Sequence, residues 1–241
     1  MIQESNANLL IFGENNYPYL INNIDNIRLG EYLKNNNQTI IIGAIRKENN
    51  NYYNSFLLIQ KNNIEYFDKK ILVPFGEFVP FRNYLKFIEK ISGPVDFALG
   101  DKNRLMNVNN QYTIIPVICY EIIFFWKLLN KNNNFADILV NITNDSWFGS
   151  LVGPYQHFYL SKMRASELNK ILLRVSTNGI SGVIKSDGSI LKTTKLNQKT
   201  LISTDIKIYD QINLNFIHKI YSFLLLFIFI IFLHFSFFRN R

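Results

Sequence analysis

The 241-residue chain has a single cysteine, Cys119, in the run Pro116-Val117-Ile118-Cys119-Tyr120-Glu121-Ile122. A thiolate is a strong nucleophile, so Cys119 is the first candidate for covalent catalysis. A lone cysteine forms no intrachain disulfide and no multi-cysteine metal site. Its bland reading is a buried structural thiol. A thiol needs a base, and Glu14 closes the apolar stretch Leu9-Leu10-Ile11-Phe12-Gly13-Glu14. Glu14 could equally open a helix beside Asn15. A carboxylate ionises near ~4.3 in water, so such a base must be raised by burial or by neighbouring carboxylates. Glu77 and Glu121 are available for that, or could be structural ion-pair partners. A cation facing a developing oxyanion would complete the set. Lys69 and Lys70 are adjacent candidates; spacing alone does not choose between them, and neighbouring lysines are commonly solvated. His157 suggests a Cys–His dyad, although a lone histidine on a predicted helix is more often structural. No Ser-His-Asp set, glycine-rich phosphate loop or metal-ligand spacing is present, so neither a metal nor a cofactor is expected.

These residues need elements to position them. The β-branched run 112–118 reads as a buried strand and 121–129 as a helix, which puts Cys119 at a strand-to-helix turn. A helix N-terminus at that point is expected to lower the thiol pKa. Further strands are predicted at 9–12, 39–45, 53–60, 64–67, 137–142, 171–176, 182–185, 190–193 and 201–206, and further helices at 19–34, 81–91 and 154–169. Residues 74–80 form a loop bracketed by two prolines, and 95–110 reads as irregular. Glu14, Cys119 and Asn144 then all lie at strand ends. That fits an α/β sandwich with its site at the carboxyl ends of the strands. Asn144, Asp145 and Trp147 are expected to shape the pocket wall.

Hydrophobic residues make up 48% of the chain and aromatic residues 15%, enough for one large core. The formal charge is +8, but the basic residues are scattered rather than clustered. This argues against a nucleic-acid partner and leaves an anionic membrane surface or no specific partner. The richness in Asn, Ile and Lys reads as compositional drift rather than a prion-like tract, because apolar periodicity runs through it. Residues 1–8 lack the basic and apolar regions of a signal peptide, and no transmembrane helix is expected before the first strand. Residues 220–238 are nearly continuous apolar sequence, broken by Ser222, His234 and Ser236. At ~1.5 Å per residue this stretch just spans ~30 Å of hydrocarbon. His234 would lie at the interface. Lys207 and Lys219 on one side balance Arg239 and Arg241 on the other, so charge does not orient the span.

The order strand-end Glu14, then Lys69, then Cys119 resembles the nitrilase (carbon-nitrogen hydrolase) superfamily. More narrowly, LVPFGEFVP, ICYEIIF, TNDSWFG and GPYQHFYLSKMRASEL resemble the apolipoprotein N-acyltransferase family over about residues 9–241. The resemblance implies an α-β-β-α sandwich, N-terminally incomplete, over residues 1–212, and a C-terminal transmembrane helix with a short basic tail over 213–241. It implies a catalytic triad of Glu14 as base, Lys69 as oxyanion stabiliser and Cys119 as nucleophile. Lys69 is preferred to Lys70 because it lies three residues before Leu72, where the family pattern puts it. Glu77, Tyr120 and Glu121 match supporting positions. The family has Trp-Pro-Glu where this chain has Phe12-Gly13-Glu14, and a glycine there predicts a looser backbone before the base. The implied reaction moves an acyl chain from a phospholipid, through a Cys119 thioester, to the N-terminal amine of an apolipoprotein. It takes place at the bacterial inner membrane, with the catalytic domain on the periplasmic side. The family places a multi-helix membrane domain, and usually another strand and helix, ahead of the Glu-bearing strand. The chain therefore reads as truncated, split or shortened by a misassigned start, with a separately encoded membrane part as a possible partner. The alternatives are a membrane-tethered amidase and an inactive remnant.

Overall fold

The computed structural model describes residues 2, 5–35, 37–82, 84, 95–208, 221 and 223–232. The chain divides into two compact units, Met1–Ile208 and Tyr209–Arg241.

The first unit is built on two sheets. In the first, β1 (Leu9–Ile11) runs parallel to β2 (Thr39–Glu48), which turns back into β3 (Asn51–Ile59) and then β4 (Ile64–Asp68). Asn49 and Asn50, at φ 48° and 65°, make the two-residue β2–β3 turn. Asparagine tolerates this left-handed pair, whose twist matches that of the strands. The second sheet has the order β10-β9-β8-β7-β6-β5. Its centre is parallel: β6 (Tyr112–Ile118), β7 (Ile138–Asn144) and β8 (Ile171–Thr177). The antiparallel edges are β5 (Met106–Val108), β9 (Gly182–Ile184) and β10 (Ile190–Thr193). The helices α1 (Phe125–Leu128) and α2 (Gly153–Glu167) lie in the β6–β7 and β7–β8 crossovers.

Period-2 alternation sorts each strand's side chains between faces. Ile41, Phe56, Leu58 and Phe67 meet Ile114, Ile118, Val140 and Ile142 in the core that contains Cys119. Ile115, Val117, Leu139 and Leu172 turn the other way, onto Phe158 and Ala165 of α2. Ile40, Ile42, Leu57 and Ile59 cover the outer face of the first sheet with Ile21, Ile27 and Leu33.

Several expectations change. Residues 19–34 form no α-helix, only two 3₁₀ turns, Ile24–Asn26 and Leu29–Tyr32. Ile21 bridges Arg46 in extended form, and the Asn23 side chain accepts from the Asp25 N–H, so local hydrogen bonds replace a helix. The outer layer of the first sheet is therefore not α-helical among the described residues, and the four-layer expectation holds on the α2 side only. Residues 121–129 split into a 3₁₀ turn, Cys119–Ile123, and the single-turn α1. The Glu121 carboxylate folds back onto the Ile118 N–H, and Phe124 breaks the run at φ −94°, ψ 70°. Residues 201–206 join no sheet. The irregular region 95–110 contains β5. The expected helix 81–91 lies mostly outside the described residues.

In the second unit, 223–232 is helical and its large apolar side chains are exposed. These ten residues rise ~15 Å, half a bilayer core. Among the described residues no helix is long and apolar enough to cross a membrane. Residues 220, 222 and 233–238 of the expected span lie outside the described residues.

Candidate active site

Both sheets deliver residues to one place. Glu14 follows β1, Lys69 follows β4, Cys119 follows β6 and Asn144 ends β7. Glu14 is 5% exposed. Its Oε1 accepts from Asn54 Nδ2 at 2.7 Å, its Oε2 accepts from the Asn144 N–H at 2.7 Å, and Lys69 Nζ stands 3.7 Å from Oε1. Burial raises its pKa, and the neighbouring Glu77 charge adds to this against the pull of Lys69, Asn54 and Asn144. Glu121, the other carboxylate considered for that effect, is committed elsewhere.

Two glycines shape the Glu14 turn. A Cβ on Gly43 of β2 would fall 2.6 Å from Glu14 Cα, so the turn crosses the sheet at a point only glycine admits. A Cβ on Gly13 would fall 2.6 Å from Thr177 Oγ1. A side chain at position 13 would have to displace this hydroxyl, and against the looser hold expected from glycine, Asn54, Asn144 and Lys69 all contact the Glu14 carboxylate.

Lys69 is 1% exposed. Its Nζ donates to Glu77 Oε1 at 2.8 Å, and Glu77 Oε1 also accepts from Asn54 Nδ2 at 2.8 Å. Glu77 Oε2 accepts from the Val73 N–H at 2.9 Å. Burial works against the ammonium, but Glu14, Cys119 and Glu77 outweigh it and raise the pKa, so Lys69 stays charged. Lys70 instead donates to the Asp101 carbonyl at 3.3 Å on the exposed side. The structure thereby separates two residues that spacing left equivalent.

Cys119 is 5% exposed and takes φ 52°, a left-handed conformation that costs a non-glycine residue about 1–2 kcal/mol. Burial and the Glu14 charge push its thiol up to about 12, against Lys69, the Thr143 hydroxyl and the Asn144 N–H. The helix-terminus lowering expected at this turn is overturned. The segment beyond Cys119 is a five-residue 3₁₀ turn, and desolvation of the thiolate is the larger effect. At rest the proton sits on sulfur, beside a carboxylate whose proton affinity burial has raised.

The remaining expected residues divide. Asn144 contributes its N–H to Glu14, while its side chain accepts from the Ser146 N–H at 3.1 Å. Tyr120 is half-buried and stacks edge-on with Phe124 at 4.9 Å. Trp147 is 72% exposed. Glu121 is wholly buried; it pairs with Arg104 through both oxygens at 2.7 Å and accepts from the Lys70, Ile71 and Ile118 N–H groups. Burial raises its pKa, but Arg104 and these donors prevail and hold it below the usual carboxylate range. Glu121 is therefore a brace between the Lys69 loop and the Cys119 turn.

Asp145 forms no pocket wall. It is buried, pairs with Arg174 Nη2 at 2.8 Å and lies 2.8 Å from His157 Nδ1. Despite burial, His157 and Arg174 bring its pKa down to about 2. Burial lowers the His157 pKa, so the ring is a neutral member of this cluster rather than a partner of a Cys–His dyad.

Asn54, Asn141, Thr143, Arg104 and Arg174 went unrecognised in the sequence. A signal existed for some of them: Asn141 interrupts the apolar strand ILVNITN and Arg174 interrupts ILLRVST. A polar residue at the centre of a buried strand must find partners there.

Residues 3–211 match the family described as carbon-nitrogen hydrolase. The apolipoprotein N-acyltransferase of Rickettsia prowazekii is 37% identical over 179 residues, 71% of this chain and 36% of that protein. That of Photobacterium profundum is 35% identical over 190 residues, 74% of this chain and 36% of that protein. The chain thus spans little more than a third of the length of these curated relatives. Among solved structures, a CN-hydrolase superfamily protein from Xanthomonas campestris, with an arsenic adduct in its active site, has a TM-score of 0.55 at 16% identity, covering 80% of this chain and 76% of that one. A nitrilase-superfamily member from Saccharomyces cerevisiae has a TM-score of 0.57 at 17% identity, covering 79% of this chain and 73% of that one. Sequence and fold agree: the chain belongs to the carbon-nitrogen hydrolase family.

Proposed function

We propose that this chain is the catalytic part of an N-acyltransferase that works through a thioester on Cys119. The observation that carries the reading is one buried cluster in which Lys69 meets both Glu14 and Glu77, while the charges of Glu14 and Lys69 act on the protein's single cysteine. The names of the relatives in two bacteria support the choice of reaction.

In this reading Glu14 takes the Cys119 proton as sulfur attacks the ester carbonyl of a phospholipid. The negative charge that develops on the carbonyl oxygen faces the Lys69 ammonium. The C–O bond breaks, Glu14 returns the proton to the departing oxygen, and lysophospholipid leaves an acyl thioester behind. The N-terminal amine of a diacylglyceryl-cysteine apolipoprotein then attacks the thioester. Glu14 takes a proton from that amine and passes it to the Cys119 sulfur as the C–S bond breaks and the amide forms, which restores the thiol and the carboxylate. Glu77 and Asn54 hold the ammonium and carboxylate apart from solvent and in register. No cofactor enters these steps.

Both substrates are lipids, so the reading includes a membrane. The apolar stretch 220–238 serves as the anchor, with the catalytic unit on the periplasmic face of a bacterial inner membrane. A membrane part that helps to receive the phospholipid is proposed as a partner of the catalytic unit. A second reading, amide hydrolysis with water in place of the amine, is favoured by the family match.

Intact-mass measurement of the detergent-purified protein after incubation with phospholipid tests the proposal, with Cys119→Ala as control. An acyl-sized, hydroxylamine-labile adduct is expected in the wild-type protein only, and an acceptor lipopeptide should clear it faster than water does. A folded wild-type preparation that gains no adduct refutes autonomous acyl transfer. Equal clearance by water and by lipopeptide selects the hydrolase.

A further inference from the structure

The web beneath the nucleophile bears on its conformation. The β6–β7 ladder ends at Ile118 and Ile142, one residue before the catalytic turn. There the chain swings into the left-handed region at Cys119, and backbone pairing can no longer fix the direction of its carbonyl. The Asn141 side chain reaches across from β7. Its Nδ2 donates to the Val117 carbonyl at 3.2 Å and to the Cys119 carbonyl at 3.3 Å. One amide group thus fastens the last turn of β6 on both sides of Ile118.

Asn141 is itself fixed. It is wholly buried, and its Oδ1 accepts from Arg174 Nη1 at 2.6 Å, directly opposite on β8. Arg174 also donates to Ser161 Oγ at 3.0 Å and pairs with Asp145. This assigns the amide orientation: Oδ1 faces the guanidinium, so Nδ2 must face the two carbonyls. The chain of contacts runs from α2 through Arg174 to the backbone of the nucleophile.

We propose that Asn141 is a positioning residue that clamps the Cys119 carbonyl and so holds the nucleophile in the left-handed turn that presents it to Glu14 and Lys69. This rests on Cys119 being the nucleophile of the proposed reaction.

The test uses the full chain and two variants. Asn141→Asp is isosteric and keeps the acceptor for Arg174 but puts an oxygen against both carbonyls. Asn141→Ser leaves room and cannot span the gap. Single-turnover acylation by a phospholipid or a p-nitrophenyl ester separates two roles. A residue that only stabilises the fold lowers the amplitude, the fraction of active molecules, and leaves the rate constant alone. A positioning residue lowers the rate constant of the active molecules, here by about 10- to 100-fold, as a displacement of order 1 Å does. Unchanged rate constants in either folded variant overturn the inference. Wild-type protein that gains no acyl group refutes the acyl-transfer reading instead, and two NMR readouts then decide on the clamp. The Asn141 side-chain amide protons should exchange slowly in the wild-type protein, and the Cys119 backbone shifts should leave the left-handed range in either folded variant. Freely exchanging amide protons, or left-handed Cys119 shifts kept in a folded variant, overturn it without reference to activity.

Discussion

Glu121→Gln gives the most direct measure of what secures the site. The carboxylate accepts five hydrogen bonds: Oε1 from Lys70 N at 2.8 Å, Ile71 N at 3.2 Å and Arg104 Nη2 at 2.7 Å, and Oε2 from Ile118 N at 2.9 Å and Arg104 Nη1 at 2.7 Å. Glutamine keeps one oxygen and replaces the other with an NH₂ group facing further donors. Arg104, 3% exposed, is left as an uncompensated buried cation. Removing one partner of a buried pair costs about 3–5 kcal/mol. That is a large share of a stability of about 5–15 kcal/mol. At about 2–4 °C per kcal/mol for a domain of this size, Tm should fall by about 6–20 °C. Thermal and urea unfolding followed by circular dichroism measure it. Arg104→Met added to Glu121→Gln removes the stranded charge, so the double variant should recover about 2 kcal/mol or more of the loss. The sign with pH follows from the depressed Glu121 pKa. The brace is present above the ordinary carboxylate value and is lost as pH falls through the lowered one. A single-variant cost below about 1 kcal/mol, the worth of an exposed pair, or strict additivity in the double variant would refute the brace.

Other outcomes follow from the same contacts. Glu14→Gln should leave the protein folded, since it neutralises a carboxylate whose charge burial disfavours, while acyl-adduct formation slows by about 10²–10⁴. The wild-type rate should rise with pH along an acid limb centred above the ordinary Glu value of 4.5, because the proposed reaction needs Glu14 ionised as its base and its pKa is raised. No alkaline limb should appear below about 10, since the Lys69 pKa is raised above its ordinary value. Asn54→Leu removes the donor shared by Glu14 and Glu77 and should move the acid limb to higher pH; an unmoved limb in the folded variant would discount that bridge. Asp145 and His157 both have lowered pKa values, so each favours the fold above its unfolded pKa and loses that contribution as pH falls. Urea unfolding should show stability beginning to fall below about 6.5 through His157. A further loss of about 2 kcal/mol is expected between about pH 4 and 2 through Asp145. Asp145→Asn should remove the lower step.

The strands were readable because their chemistry is local. The β-branched run Tyr112–Ile118 and the Asp187-Gly188 turn before β10, with Gly188 at φ 83°, leave little choice of conformation. The reading failed where tertiary contacts override periodicity. Ile21, Ile27 and Leu33 do bury against the first sheet, as a helix stripe would, but from turns pinned by Asn23 and by the Ile21–Arg46 bridge. The helix after Cys119 failed because Glu121 is drawn to Arg104, seventeen residues earlier in the chain. In the site, Glu14, Lys69 and Cys119 could be chosen from motif resemblance. Asn54 and Asn141 could not, since their roles depend on strand register: Asn141 stands opposite Val117 and Arg174 only because β6, β7 and β8 pair as they do.

The two sheets are contiguous in sequence: one is complete by Asp68 and the other begins at Met106. Glu14 and Lys69 belong to the first half, and Cys119 and Asn141 to the second. During synthesis the carboxylate half emerges first and can form its hairpins by local pairing, while the second half nucleates on its own crossovers. Until the two halves dock, Cys119 lacks the Glu14 carboxylate and the Lys69 ammonium, and the proposed acyl capture has no base and no oxyanion partner. In the proposed reaction, acyl capture from phospholipid, unlike general thiol reactivity, therefore reports completed folding. The same division makes the region between Asp68 and Met106 the natural cut for fragment complementation, with two inert pieces regaining acyl capture when mixed.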